Sequence, residues 1–160
     1  MHTESMIYPT DPKSLYPLLR LQLQAVTEDV TDTIANLANA SALMNLALRD
    51  INWVGFYLRR GEKLILGPFQ GKPACVEIHW GRGVCGTAAE TGLCQRVEDV
   101  HAFPGHIACD SASRSEIVLP LRKDGQVVGV LDIDSPSIAR FTPEDEAGLM
   151  TLIPILEAIL

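Results

Sequence analysis

Apolar residues recur at helical spacing at both ends of the chain. In the N-terminal part, about residues 14–48, they predict two helices that are divided near the acidic stretch 29–32. Near the other end, Thr142 is a predicted N-cap and Pro143 the first residue of a helix over 143–160, with a kink at Pro154. The chain is therefore helical at its two ends.

The middle of the chain, about 52–134, has the shorter alternating and aromatic runs that are typical of β-strands. The predicted strands are 53–58, 63–66, 74–79, 95–97, 116–121 and 127–134, with a short helix at 87–91 after a glycine-rich loop. This order predicts an α+β fold in which a central antiparallel sheet carries helices on one face and ligand-site loops on the other.

Composition narrows the class of protein. At 160 residues and 47% hydrophobic, the chain is predicted to form one domain over 1–160. A net charge of −7, with 13 scattered Lys and Arg residues, argues against nucleic acid as a partner. No apolar run approaches the roughly 20 residues of a membrane helix, and the first six residues lack the layout of a signal peptide, so we expect a cytoplasmic protein.

The β-hairpin of strands 116–121 and 127–134 decides where three acids lie. A two-residue turn at Asp124-Gly125 would put Glu116 opposite Ile133, on the other face from Asp132 and Asp134. A three-residue loop with Gly125 in the left-handed conformation puts Glu116 opposite Asp132. We favour the second register, because it gathers the apolar residues on one face. That core face comprises Ile117, Leu119, Leu121, Val127, Leu131 and Ile133.

The favoured register places the three acids together, with Val118 and Val130 beside them. Neighbouring carboxylates on a partly apolar face repel one another and lose solvent, so the pKa of at least one of them should rise. One acid then stays protonated near neutral pH. A water-facing cluster and a calcium site are the alternatives, although the rest of a calcium-binding loop is missing.

The four cysteines occupy different surroundings. Cys85 lies where a glycine-rich loop meets a helix N-terminus, a place that favours a lowered thiol pKa. Cys75 is expected at the sheet edge, and Cys94 in a short apolar strand is expected to be a buried small hydrophobe.

Cys109 falls in the long irregular stretch 98–113, a kind of connection that usually binds a ligand or takes part in catalysis. His106, if protonated, would favour its thiolate, and Asp110 would oppose it. The sequence leaves that balance open.

A zinc site drawing on His79, His101 or His106 is the competing interpretation of the cysteines. The chain has no closely spaced ligand pair such as Cys-x-x-Cys, so no metal and no cofactor are expected.

Six blocks of sequence together resemble the GAF-domain family of free methionine-(R)-sulfoxide reductases. They are NWVGFY at 52–57, LGPFQGK at 66–72, GRGVCGT at 81–87, HAFPGHIACD at 101–110, SRSE at 113–116 and LDIDS at 131–135. A generic GAF domain would match only the fold, whereas the three cysteines and the acids make this resemblance specific.

The resemblance implies a role for each of the matching residues. Cys109 would be the nucleophile, Cys75 the resolving cysteine and Cys85 a secondary one. Trp53 and Tyr57, which the pattern alone reads equally well as core aromatics, would line the thioether end of the substrate. The resemblance further implies thioredoxin as reductant and a homodimer.

The resemblance also implies that three acids face the ammonium and the sulfoxide oxygen of the substrate. They are Glu116, Asp132 and Asp134. Elementary chemistry agrees, because thiolate attack on a sulfoxide needs an acid that protonates the departing oxygen. The resulting sulfenic acid can condense with a second thiol to give a disulfide. A buried ammonium needs countercharge, which favours a free amino acid over a peptide-bound methionine.

The alternative function is a GAF domain that senses a small molecule without reacting. Such a sensor usually has an attached output module and needs no placed thiols, whereas this chain is expected to end within its last helix.

Overall fold

The structure, a computed structural model, describes residues 7–107 and 109–160. The first six residues, where no signal peptide is expected, and Ala108 lie outside the described residues. The helices are α1 (Pro12–Thr27), α2 (Thr33–Ala47), α3 (Gly83–Thr91), α4 (Pro143–Met150) and α5 (Ile153–Ile159). Within the described ranges, none of the helices is both long and apolar enough to cross a membrane.

The predicted N-terminal helical region divides where the acidic stretch indicated. Asp32 caps α2 by accepting a hydrogen bond from the Ala35 backbone N–H. At the other end, Thr142 and Asp145 form a reciprocal capping box that fixes the start of α4. The predicted last helix is divided in two between Met150 and Ile153, one turn before the bend expected at Pro154.

Over residues 7–107 and 109–160, six antiparallel strands form one sheet in the order β3-β2-β1-β6-β5-β4. They are β1 (Trp53–Arg60), β2 (Lys63–Gly71), β3 (Glu77–His79), β4 (Gln95–Val97), β5 (Ser115–Lys123) and β6 (Gln126–Ser135). The α+β class with a central antiparallel sheet is confirmed. The third strand is shorter than predicted: its pairing with β2 begins at Glu77, and residues 74–76 lie outside the strand.

The favoured register of the β5–β6 hairpin is wrong in detail. Asp124 and Gly125 both have positive φ, and Lys123 pairs with Gln126 across a two-residue turn. An extra residue in β6, Val128, then shifts the register, so that Leu121 pairs with Gly129.

That bulge restores the face on which the acids were predicted to lie. Glu116 is opposite Asp134, instead of Asp132, and Asp132 is opposite Val118. Relative to the predicted three-residue loop, the two-residue turn moves the strand pairing by one residue, and the bulge moves it by one more. Two such shifts restore the alternation, so all three acids share one face. The same shift moves Val127 out of the predicted core face and against the apolar cluster beside the acids.

The sheet separates two apolar clusters. The larger lies between one sheet face and helices α1, α2, α4 and α5, and includes Leu119, Leu131 and Ile133. The smaller lies on the opposite face under α3, where Val118 and Val130 pack with Val84 and Ala88. Four helices thus cover one face as predicted, whereas α3 lies on the side of the acids and the loops.

Helix α3 begins at Gly83, four residues earlier than predicted, and its first turn carries Cys85. Gly86 allows this turn to lie directly against the preceding loop, because a Cβ on Gly86 would stand 2.6 Å from the His79 carbonyl oxygen. The close approach holds Cys85 over the sheet.

We expect Gly86→Ala to lower the free energy of unfolding by about 1–3 kcal/mol, because the added methyl group must push α3 away from backbone atoms. The measurement is urea unfolding at equilibrium. Thr91→Ser, at an exposed position of the same helix, keeps the hydroxyl hydrogen bonds; it is the control and should change stability by less than about 0.5 kcal/mol. A Gly86→Ala protein as stable as this control would contradict the close packing of α3.

Candidate active site

Three carboxyl groups project from β5 and β6 into the protein. Glu116 and Asp132 are 7% and 5% exposed, and Asp134 is partly exposed at the strand end. Buried carboxyls this close lose solvent and repel one another when ionised. The predicted cluster of acids is therefore present.

Burial and mutual repulsion change the titration of the cluster. Burial, and then the charges of Asp132 and Asp134, raise the pKa of Glu116 well above its usual range. Burial, with the charges of Asp132 and Asp110, does the same to the pKa of Asp134. Burial also raises the pKa of Asp132, but hydrogen bonds with Glu116 and the Cys85 thiol oppose that rise. Glu116 and Asp134 are thus the groups best able to hold a proton near neutral pH.

Cys85 lies against these acids. Its thiol donates to Glu116 Oε1 at 3.8 Å, and the residue is 4% exposed. Burial, and then the charges of Asp132 and Glu116, raise the pKa of the Cys85 thiol well above its ordinary value. The prediction of a lowered pKa at the helix N-terminus is wrong, because desolvation and three acids outweigh the backbone N–H groups.

A disulfide joins Cys75 to Cys109, with 5.5 Å between their Cα atoms. It ties the irregular segment before β5 to the stretch that leads into β3. Tyr57 donates a hydrogen bond from its hydroxyl to the Cys75 carbonyl at 2.9 Å, which connects this stretch to β1. Cys85 and Cys94 are the free thiols of the chain.

Cys94 lies apart from the other cysteines. It is partly buried rather than fully buried as predicted, and it packs against the cluster on the helical side of the sheet. Burial and a hydrogen bond with Glu146 raise the pKa of its thiol to about 12. A thiol that holds its proton so tightly is a poor nucleophile.

An aromatic wall lies beside the acids on the same face of the sheet. Trp53 stacks on Tyr57 with ring centroids 5.9 Å apart and on Phe69 at 5.1 Å. Trp53 and Tyr57 are almost fully buried, yet both line a cavity beside the acids. Both aromatics are thus buried core residues that also line a cavity, and their contact with a thioether stays a prediction.

A cavity of about 40 Å³ lies where these features meet. That volume holds a small number of water molecules. Its lining includes every predicted site residue except Cys75, which reaches it through the disulfide. The predicted site residues in the lining are Trp53, Tyr57, Cys85, Cys109, Glu116, Asp132 and Asp134.

The side-chain contacts of Asn52 were not predicted from the sequence. Its side-chain amide donates to Asp110 Oδ2 and to Ser113 Oγ, each at 3.1 Å, and so anchors the segment that carries Cys109 to the start of β1. The only signal in the sequence was its place directly before Trp53 in the NWVGFY block.

The histidines do not build the alternative zinc site. The rings of His101 and His106 lie 6.5 Å apart, and burial with the charge of His101 lowers the pKa of His106. His106 is thus shifted toward its neutral form, which weakens its support for a thiolate at Cys109. In the described part of the chain, the one cluster of three candidate metal ligands contains no histidine.

The family model of the GAF domain matches residues 22–158. Protein YtsP of Bacillus subtilis is 59% identical over 152 residues, which cover 94% of this chain and 93% of the relative. The free methionine-R-sulfoxide reductase of Escherichia coli is 57% identical over 145 residues, covering 91% of this chain and 88% of the relative. This chain belongs to the GAF-domain family of free methionine-(R)-sulfoxide reductases.

A solved structure of the same family agrees with the fold. The free methionine-R-sulfoxide reductase from Neisseria meningitidis, solved in complex with its substrate, superposes with a TM-score of 0.92 at 46% identity. The match covers 96% of this chain and 93% of that one. The sheet and helices described above are thus those of the reductase family.

Glu116→Gln should change how stability depends on pH. Because the pKa of Glu116 is raised on folding, the folded protein keeps a proton that the unfolded chain loses above about pH 4.3, so stability falls as pH rises through this range. Glutamine does not titrate. The stability of the variant relative to the unaltered protein should therefore increase as pH rises above about 4.3.

The measurement is urea unfolding of the disulfide-bonded proteins between about pH 4 and pH 8. Glu144→Gln, which removes an exposed acid at the start of α4, controls for net charge. A stability difference for Glu116→Gln that stays flat with pH would contradict the raised pKa.

Proposed function

We propose that this protein reduces free L-methionine-(R)-sulfoxide to methionine, with Cys109 as the nucleophile. The observation that carries the proposal is the Cys75–Cys109 disulfide at a cavity lined by buried carboxyls that favour their protonated form. A reductase of this kind needs a thiol pair and a proton donor at one place. The names of the relatives, free methionine-R-sulfoxide reductases, support the substrate class and the R epimer.

In the first step, the Cys109 thiolate attacks the sulfoxide sulfur while a carboxylic acid of the cluster protonates the departing oxygen. The oxygen is transferred to Cys109, which becomes a sulfenic acid, and methionine leaves with its sulfur reduced by two electrons. Glu116 and Asp134 are the proton donors in this proposal, because burial and mutual repulsion raise both pKa values.

In the second step, the Cys75 thiol condenses with the sulfenic acid, and water leaves as the disulfide forms. The disulfide-bonded structure thus corresponds to the oxidised end of the cycle. The disulfide occupies the Cys109 sulfur, so the next substrate is attacked only after reduction. Cys85 remains a secondary resolving thiol in this scheme, disfavoured by its burial and its raised pKa.

Preference for a free amino acid follows from charge. The carboxylate of Asp132 offers countercharge to a substrate ammonium, which a peptide-bound methionine lacks. The first turn of α3 lines the same cavity and presents backbone N–H groups suited to the substrate carboxylate. Trp53 and Tyr57 supply the apolar wall for the thioether chain.

A dithiol protein must reopen the disulfide, and thioredoxin is the reductant we propose on family likeness. A cytoplasmic location fits such a partner. We further propose that residues 1–160 act as one catalytic GAF domain and that the protein forms a homodimer, as the resemblance implied.

The cysteine variants separate the two steps. Cys109→Ser should abolish methionine release, whereas Cys75→Ser should release about one methionine per chain and then stop, because its sulfenic acid is not resolved. Methionine is measured by chromatography after mixing the reduced protein with each sulfoxide epimer and a thioredoxin system.

Cys94→Ser, which removes the thiol remote from the cavity, is the matched control and should keep full turnover. Undiminished turnover in Cys109→Ser would refute the nucleophile. Retention of all thiols with both epimers would instead favour a GAF domain that binds without reacting.

The acids should govern the first step. Glu116→Gln and Asp134→Asn remove a proton donor, so each should slow the first methionine release by about 10²–10⁴-fold in a single-turnover experiment. Glu98→Gln, an exposed acid near the segment that carries Cys109, is the control. Rates like that of the control in both variants would exclude the two acids as proton donors.

A further inference from the structure

Three side chains at the base of the cavity converge on one point. The Cys85 sulfur and one carboxyl oxygen each from Glu116 and Asp132 all lie within 4.8 Å of one another, and all three residues are buried. The proposed reduction assigns no step that needs the Cys85 sulfur beside these two oxygens.

Asp132 also has an unsatisfied atom. Among the described residues, its buried Oδ1 has no hydrogen-bond partner. A buried carboxyl oxygen without a donor is costly, and such an atom in a cavity indicates a missing cation, donor or water. Asp132 lines the cavity, so a ligand there can reach it.

The spacing suits a tetrahedral metal ion. With bonds of about 2.3 Å to sulfur and about 2.1 Å to oxygen, neighbouring sulfur and oxygen ligands of zinc stand about 3.6 Å apart. The Cys85 sulfur lies 3.8 Å from Glu116 Oε1. One Asp132 carboxyl oxygen lies within 4.8 Å of both of these atoms, and a shift toward the same centre would complete the set of three ligands.

We propose that Cys85, Glu116 and Asp132 form a zinc-binding site at the base of the cavity. Water or Asp134 completes the coordination. The thiol ligand selects zinc over calcium and magnesium, which prefer oxygen ligands in larger number. Three protein ligands with an open fourth position is a common zinc arrangement.

The disulfide-bonded cavity fits this ligand in size. About 40 Å³ accommodates one ion with a water molecule. The disulfide occupies the sulfurs of Cys75 and Cys109, so Cys85 is the free thiol at the cavity. Zinc can therefore be tested in the oxidised protein without interference from the redox pair.

Binding exchanges protons for the metal and changes no oxidation state. The thiol proton of Cys85, with any proton on the two carboxyls, passes to the buffer as the zinc–ligand bonds form. Bound zinc would occupy the acids that the proposed reduction needs, and so would inhibit it. This inhibition rests on the proposed function, whereas the binding does not.

The test is calorimetric titration of metal-free, disulfide-bonded protein with Zn²⁺ alone, and a titration of a separate metal-free sample with Co²⁺ to detect the sulfur-to-cobalt absorption band. We expect one equivalent to bind and the band to appear. Cys85→Ser should lose the band and weaken zinc binding by at least about tenfold. Cys94→Ser, which removes the other free thiol, should keep both.

Asp132→Asn is the second variant, and it should weaken binding while it retains the thiol. Circular dichroism establishes that each variant is folded. The proposal is overturned if the unaltered protein binds no zinc. It is also overturned if Cys85→Ser binds zinc as tightly as the unaltered protein. If Cys85→Ser does not fold, the same result for Asp132→Asn overturns it. Binding held by His101 and His106 would give that second result.

Discussion

The site depends on the register of one hairpin. A two-residue turn and a single bulge at Val128 together set Glu116 opposite Asp134 and beside Asp132. The other face of both strands is filled by the main core, which makes a one-residue slip of β6 costly because it would turn Asp132 and Asp134 into that apolar core. The packing of the core therefore forces three carboxyls into one poorly solvated place, where their pKa values rise.

The other elements bring reactive groups to that cluster. Helix α3 covers it with the Cys85 thiol, β1 supplies Trp53 and Tyr57, and the segment anchored by Asn52 brings Cys109 to its mouth. Proton donors, an apolar wall and a thiol pair then share one cavity. In our proposal this convergence supports reduction of a free sulfoxide, and the same crowding of ligands allows zinc to bind.

The sequence predicted the element types and the face of the acids, because alternation in β5 and β6 has one consistent core side. It did not predict the bulge, since Val128 reads like any other strand residue. It misjudged the pKa of Cys85 because the helix N-terminus is visible in sequence, whereas burial against Glu116 and Asp132 is a tertiary effect. The anchoring by Asn52 was missed for the same reason: its partners lie 58 and 61 residues away along the chain.

Infrared difference spectroscopy of the carboxyl C=O stretch at neutral pH tests most directly whether the crowded acids keep a proton. We expect a band from a protonated carboxylic acid in the unaltered protein and its loss or marked weakening in Glu116→Gln. A spectrum in which all carboxyl groups of the unaltered protein are ionised would contradict it.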